Sequence, residues 1–441
     1  MGVNVYNGLP VTGFLETGNL NFMRSEYTSA TSNFVHKAFP MTKKWFVLLL
    51  SCLAMGTVAP AFAQITSTVQ TAPADSTRQQ IAIFTPLYLD SAFDISGNYR
   101  YDAKSFPKQS SAGLEFWEGA ELAIDSLKKE GIKLDIHIYD TKAPSIQIDS
   151  LLASEAFKST DLIIGQVTAT EAVKFANIAA TLDIPFINAS LPSDAGITNN
   201  PHYVILNSTL LTHCVGIYRF LQKNYSLQDI IVFRKKGVQE DRLRNNLTEF
   251  EKTTAVKLKL KYVTLEDNFT QDKLELYLNS EKPNICLAGS LDTAFARKLC
   301  QQLALLSTAG SPNVVIGMPT WDKIDFEKSQ YKNLEIIYST PFYIAPTAKL
   351  AATVLEKFKT TFYSRPSDMV FRGFESLYHF AHLLTIHGKN LGSSLSDKKY
   401  MLFSEFDIQP VINKTTMTHD YYENKKLYFV KKVDGVVKTV Y

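Results

Sequence analysis

From residue 81 onward in this 441-residue chain, short apolar runs alternate with amphipathic segments of helical period. Ile81-Ala82-Ile83-Phe84 reads as a buried strand. A helix over about 112–129 follows, with Phe116, Ala120, Ala123, Ile124 and Leu127 at helical spacing before Gly131 stops it. The same spacing predicts strands at 134–139, 161–164 and 184–187, with helices over 145–157 and 168–181 between them. After Asn207 the pattern restarts: helix 209–224, strand 230–233, helix 239–252, strand 256–262, helix 270–279, strand 284–288, helix 292–307, then strands 313–316 and 335–339. Strands separated by helices pair in parallel through right-handed crossovers, with helices on both faces of the sheet. The expected class is therefore α/β with two Rossmann-like lobes. Two long helices, about 348–363 and 368–387, come next with no strand between them, and a hairpin around Asp434-Gly435 closes the chain.

A different grammar precedes this. Met41 to Gln64 carries Lys43 and Lys44, an apolar run from Trp45 to Val58, and the small-residue site Ala61-Phe62-Ala63 before Gln64. These are the three parts of a secretory signal peptide, with cleavage expected between Ala63 and Gln64. The run is shorter than the roughly 20 residues of a membrane-spanning helix. Leu49-Leu50-Ser51-Cys52 also has the look of a lipoprotein cleavage site, but it leaves about six apolar residues ahead of it, below the usual 7–15. Residues 1–40 are rich in Asn, Thr, Ser and Gly and show no helical or strand period. They are expected to be an upstream extension, with translation starting at Met41. Residues 64–80 read as a linker.

The whole chain has 46 Lys and Arg against 43 Asp and Glu, and four of the basic residues (Arg24, Lys37, Lys43, Lys44) and two of the acidic ones (Glu16, Glu26) precede Gln64. Such balance offers no field for steering nucleic acid. Past the cleavage site only Cys214, Cys286 and Cys300 remain, which excludes a disulfide scaffold and suits small buried hydrophobes.

Five short motifs then occur in order. They are Gly119-Ala120-Glu121-Leu122-Ala123-Ile124-Asp125, the strand ending Tyr139-Asp140-Thr141, Asp161 to Gly165, Ile184-Pro185-Phe186-Ile187, and Arg372-Gly373-Phe374-Glu375-Ser376. In this order the chain resembles the type I periplasmic substrate-binding proteins of the leucine/isoleucine/valine-binding kind. The resemblance implies two lobes with parallel central sheets, joined by a three-strand hinge and closing on a small molecule. It divides the chain into 81–206 with 342–412 as lobe 1, and 207–341 with 413–441 as lobe 2.

It also points to candidate ligand residues. Thr168 and Thr170, in a Ser/Thr-x-x-Glu capping box after the strand ending at Gly165, stand near the hydroxyl that holds the ligand carboxylate in relatives. Capping alone explains them equally well. Pro192 replaces a usual threonine, so Ser190 is the substitute, and Tyr88 lies on the long loop reaching the cleft mouth. In lobe 2, Asp322 sits where some relatives place the acid facing the ligand ammonium, with Trp321 as an apolar wall; a capping Asp and a packed Trp are the plainer account. Ser290 follows its strand where a tyrosine is often found, and Asp292 caps the next helix. Arg234 favours an anionic ligand if it faces the cleft, and says nothing if it faces solvent.

Enzyme signatures are missing: there is no Gly-x-Ser-x-Gly elbow, phosphate loop or Cys-x-x-Cys. His379, His382 and His387 lack an acidic or thiol partner at metal-ligand spacing. The expectation is an exported, cofactor-free solute-binding protein for an amino-acid-like or anionic ligand, serving an ABC permease or a sensor. A ligand-free lobed module that binds an envelope protein in peptidoglycan synthesis is the alternative.

Overall fold

The computed structural model of the chain describes residues 2–6, 78–102, 106–144, 146–307, 312–345 and 348–441. The expected cleavage site at Ala61, Ala63 and Gln64, the lipid alternative at Cys52 and most of the linker lie outside the described residues. In chain order the strands are β1 Gly2–Tyr6, β2 Gln79–Thr85, β3 Leu134–Asp140, β4 Leu162–Gly165, β5 Phe186–Asn188, β6 Tyr203–Ile205, β7 Asp229–Arg234 and β8 Lys259–Thr264. They continue with β9 Ile285–Ala288, β10 Val314–Gly317, β11 Glu335–Thr340, β12 Ile408–Ile412, β13 His419–Asn424, β14 Tyr428–Val433 and β15 Val436–Val440.

Two sheets result, in the orders β1-β3-β2-β4-β5-β6-β13-β12 and β15-β14-β11-β10-β9-β7-β8. Pairings among β1 to β6 and among β7 to β11 are all parallel; antiparallel pairs enter only with β12, β14 and β15. This is the two-lobed α/β architecture. Because helices cover both faces, strands carry unbroken apolar runs instead of alternating ones. In β2, Ile81 and Ile83 join one core, while Ala82 and Phe84 join the core on the opposite face with Phe175 and Phe186. Lobe 2 has its own core around Ile230, Leu287, Ile316 and Trp321. Cys214, Cys286 and Cys300 are buried and free within these cores, as expected of small hydrophobes.

Two helices of lobe 1, Lys108–Lys129 and Asp368–His387, pack with their backbones in close approach. A Cβ on Gly119 would lie 1.9 Å from the Val370 carbonyl oxygen, and one on Gly373 would lie 1.9 Å from that of Phe116. The glycines of two of the five motifs therefore serve the same contact, one from each side.

Three connections join the lobes, after β6, after β11 and after β13. The third corrects the expected boundary. β13 pairs in parallel with β6, so residues 413–424 stay with lobe 1 and the chain enters lobe 2 after Asn424. His-Asp-Tyr-Tyr-Glu-Asn does not look like a strand, because its polar side chains find their partners only in the folded molecule: Asp420 accepts from the Asn199 amide and the Tyr421 hydroxyl donates to Asp194, while the rest turn to the hinge. Glu423 Oε1 accepts from the Thr209 amide and hydroxyl, both at 2.8 Å, and from the Thr212 hydroxyl at 2.6 Å. Lys425 Nζ donates to Glu423 Oε2 at 2.5 Å. Asn424 Nδ2 donates to the Leu206 carbonyl, and Ser208 Oγ donates to the Asn424 carbonyl.

Other differences are local. The helix expected over 145–157 shortens to Ile148–Leu152, where the Ser154 hydroxyl takes the Leu151 carbonyl and receives the Phe157 amide. The helix expected over 270–279 shortens to Gln271–Glu275. Gly2–Tyr6 pairs with the edge of β3, a strand the composition of residues 1–40 does not announce, since five residues are too few to establish a period.

Candidate functional site

In open parallel sheets, ligand sites lie beyond the carboxyl ends of the strands. At the lobe 1 edge, the buried Asp140 carboxylate accepts from the amides of Leu87 and Leu89, both at 2.8 Å, and fixes the loop after β2. Tyr88 between them is half-buried and takes a left-handed conformation, φ 58°. Thr168 forms the complete capping box: its amide donates to Glu171 Oε2 at 2.7 Å and its hydroxyl receives the Glu171 amide at 3.4 Å. Thr168 and Thr170 are both exposed, and Ser190 is half-buried with its amide donating to Asn188 Oδ1.

Lobe 2 holds its candidates more tightly. Arg234 is buried and donates to Asp241 Oδ1 at 2.5 Å, so its charge is already paired. Ser290 Oγ donates to Glu240 Oε1 at 2.6 Å in the interior. Asp292 caps the Thr293–Leu305 helix through the amides of Ala294 and Phe295 while pairing with Lys235. Trp321 is fully buried, its ring filling the space over Gly317, where a Cβ would come within 2.0 Å of it. It is a core residue whose indole N–H has no acceptor among the described residues.

A cavity of about 270 Å³ lies between the lobes beside the second crossing. Lobe 2 supplies Asp322, Tyr338 and Lys432; the crossing supplies Thr340 and Phe342; lobe 1 supplies Asp368, Phe371, Arg372 and Glu375. Of the eight ligand candidates named from sequence, only Asp322 lines it. Thr168, Thr170, Ser190, Tyr88, Arg234, Ser290 and Trp321 do not.

The cavity is rich in charge. The Arg372 guanidinium stacks 4.1 Å from the centroid of the Phe342 ring. Burial pushes its pKa down, while Asp368, Asp322 and Glu375 oppose that. Glu375 accepts from the Ser404 amide at 3.1 Å and hydroxyl at 3.3 Å. Burial nonetheless raises its pKa to about 7, so it is partly protonated near neutrality. Asp322 reaches solvent at the cavity mouth, yet the protein around its carboxyl raises its pKa by desolvation. Arg372, Lys432, Asp322 and Asp368 make no ion pair within 4.0 Å among the described residues.

Sequence reasoning passed over Arg372 and Glu375 although both stand in a quoted motif. The available signal was their spacing: two ionisable residues three apart among Val370, Phe371, Phe374 and Leu377, on a helix otherwise facing a core.

Comparison with solved structures places this architecture. The chain is similar to a putative branched-chain amino acid ABC transporter from Rhodospirillum rubrum, with TM-score 0.59 and 12% identity over 82% of this chain and 99% of that one. A branched chain amino acid ABC transporter periplasmic ligand-binding protein from Burkholderia xenovorans gives TM-score 0.56 at 12% identity, over 82% and 94%. The fold is that of the type I periplasmic binding proteins. An ABC transporter substrate-binding protein from Desulfitobacterium hafniense gives TM-score 0.54 at 13% identity, over 82% and 99%. No family model matches the sequence, and no curated protein matches it. Within the type I fold, the three crossings after β6, β11 and β13 are the hinge, and the charged cavity lies beside the middle one. No group of three or more His, Cys, Asp or Glu able to hold a metal occurs among the described residues, and no described helix is long and apolar enough to cross a membrane.

Proposed function

We propose that the chain is an exported, non-enzymatic solute-binding protein that closes its lobes over a small polar molecule and presents it to a membrane partner such as an ABC permease. The observation that carries this reading is the interlobe cavity. It is open enough for a small molecule, it draws residues from both lobes and a hinge crossing, and it holds charges of both signs that the protein leaves without ion-pair partners. Asp322 and Asp368 are solvated, but the buried Arg372 Nε has no acceptor among the described residues, a cost that a bound solute would relieve. The signal segment at Met41 to Gln64 supports a periplasmic location after cleavage at Ala63. The solved proteins of the same fold are a branched-chain amino acid ABC transporter protein and a periplasmic ligand-binding protein of that kind, which supports the role and an amino-acid-like solute.

The test is a thermal-shift screen of the chain from Gln64 onward against amino acids, short peptides, purines and cell-wall fragments. A solute that binds only the folded state stabilises it by about 2.7 kcal/mol at a hundred times its Kd. A clear rise in Tm with one chemical class is expected. No shift with any class, together with a peptidoglycan synthase copurifying with the chain, would overturn the reading in favour of a protein-binding module.

A further inference from the structure

We propose that Arg372 is the receptor for a carboxylate on the bound solute, with the solute's cationic group facing Asp322 and Asp368 across the cavity. This rests on the solute-binding reading and adds the charge pattern and orientation of the solute.

The first observation is an unsatisfied donor. Arg372 Nε is buried and has no acceptor among the described residues. A buried N–H without a partner is costly, and a guanidinium offers a planar fork that a carboxylate matches with two parallel hydrogen bonds. The second is pre-orientation. Arg372 Cζ sits over the Phe342 ring, 4.1 Å from its centroid, and this cation–π contact restrains the side chain before binding.

The third is the surrounding charge. Asp322, Asp368 and Glu375 act on Arg372 through space and keep it charged, yet none forms an ion pair with it. Glu375 is occupied by Ser404. Asp322, Asp368 and the partly protonated Glu375 then stand against Arg372 and Lys432, a near balance with no excess of cations. A balanced cavity disfavours a doubly charged anion such as phosphate, which would meet both aspartates, and favours a molecule carrying one charge of each sign. A volume of about 270 Å³ restricts it to a small one, since drug-sized ligands occupy roughly 300 Å³ upward.

The experiment is calorimetric titration of the chain from Gln64 onward with a panel of L-amino acids including leucine and phenylalanine, with 3-methylbutylamine and 2-phenylethylamine as their decarboxylated partners, and with inorganic phosphate. At least one amino acid is expected to bind, its decarboxylated partner and phosphate are not, and Arg372→Gln is expected to weaken the amino acid more than about tenfold. Arg372→Lys keeps the charge without the fork and should also lose affinity, which keeps the assignment testable if Arg372→Gln does not fold. Several results overturn it: a folded Arg372→Gln within about tenfold of the parent, an unchanged Arg372→Lys, or an amine or phosphate that binds as well as the amino acid. Binding of amines or phosphate alone removes the Arg372 assignment and leaves solute binding standing. Silence from every probe here and in the thermal-shift screen removes both.

Discussion

Glu375 shows how one residue's surroundings set its chemistry. Burial raises its pKa to about 7 from an ordinary value of 4.5, so the folded state holds a proton that the unfolded state releases. The sign follows: stability from this group is complete below pH 4.5 and is lost as pH rises through 7. Over that window the loss is on the order of 3 kcal/mol. Glu375→Gln should abolish this component, so urea melts of the variant minus those of the parent should change steadily between pH 4.5 and 7 and stay flat below. His213 works the other way. Fully buried with Nδ1 2.8 Å from Ser339 Oγ, it is pushed down to about 4 by desolvation. The unfolded state then binds the extra proton, and its contribution is lost as pH falls from 6.5 toward 4. Comparing variants at one residue separates these opposed slopes, which a single profile of the parent would merge.

At the scale of elements, the contact between the Lys108–Lys129 and Asp368–His387 helices places Arg372 at the cavity, because Gly373 is its neighbour and lies against the partner helix. Gly373→Ala or Gly119→Ala would drive a methyl group into a backbone carbonyl that has no flexible end to move. A loss of about 1–3 kcal/mol or more is expected in denaturant melts, and Gly373→Ala should also weaken any solute by displacing Arg372. The hinge is the second such element. Glu423→Ala removes the acceptor of three hydrogen bonds and the partner of Lys425, and should cost about 3 kcal/mol. Glu423→Gln should cost less, since an amide oxygen can still accept from Thr209. Equal losses in the two variants would show that the carboxylate's charge, and not its acceptor geometry, holds the hinge.

For the whole molecule, the proposal of export makes a simple demand on the mature N-terminus. Sequencing of the exported protein should begin at Gln64, and a peptide from residues 1–40 would refute translation from Met41. The chain from Gln64 onward should keep its fold, because Gly2–Tyr6 occupies only the outer edge of β3 and the remaining strands of that sheet hydrogen-bond to one another without it. Circular dichroism and Tm measured on the full chain and on the shortened one check this.

The sequence alone determined the class of the molecule. The apolar runs of β2, β4, β9 and β10 and the helices between them are local periodic features, and a parallel sheet with two covered faces is what such features can build. Caps were legible for the same reason: Thr168 with Glu171, and Asp292 before its helix, involve neighbours three residues apart or fewer. Only the tertiary structure decided where the candidate cavity lies and what lines it. Arg234 and Ser290 look available in sequence, but Asp241 and Glu240, 7 and 50 residues away, take their hydrogen bonds. Arg372 looks like one more helical arginine until Phe342 and Asp322 come to it from the crossing and the other lobe. Strand β13 likewise pairs with β12 nearby but takes partners for Glu423 and Asn424 from residues more than 200 positions earlier. Periodicity is a property of adjacent residues and can be read along a chain, whereas the pairing of a charge depends on which distant residues the fold brings within a few ångströms.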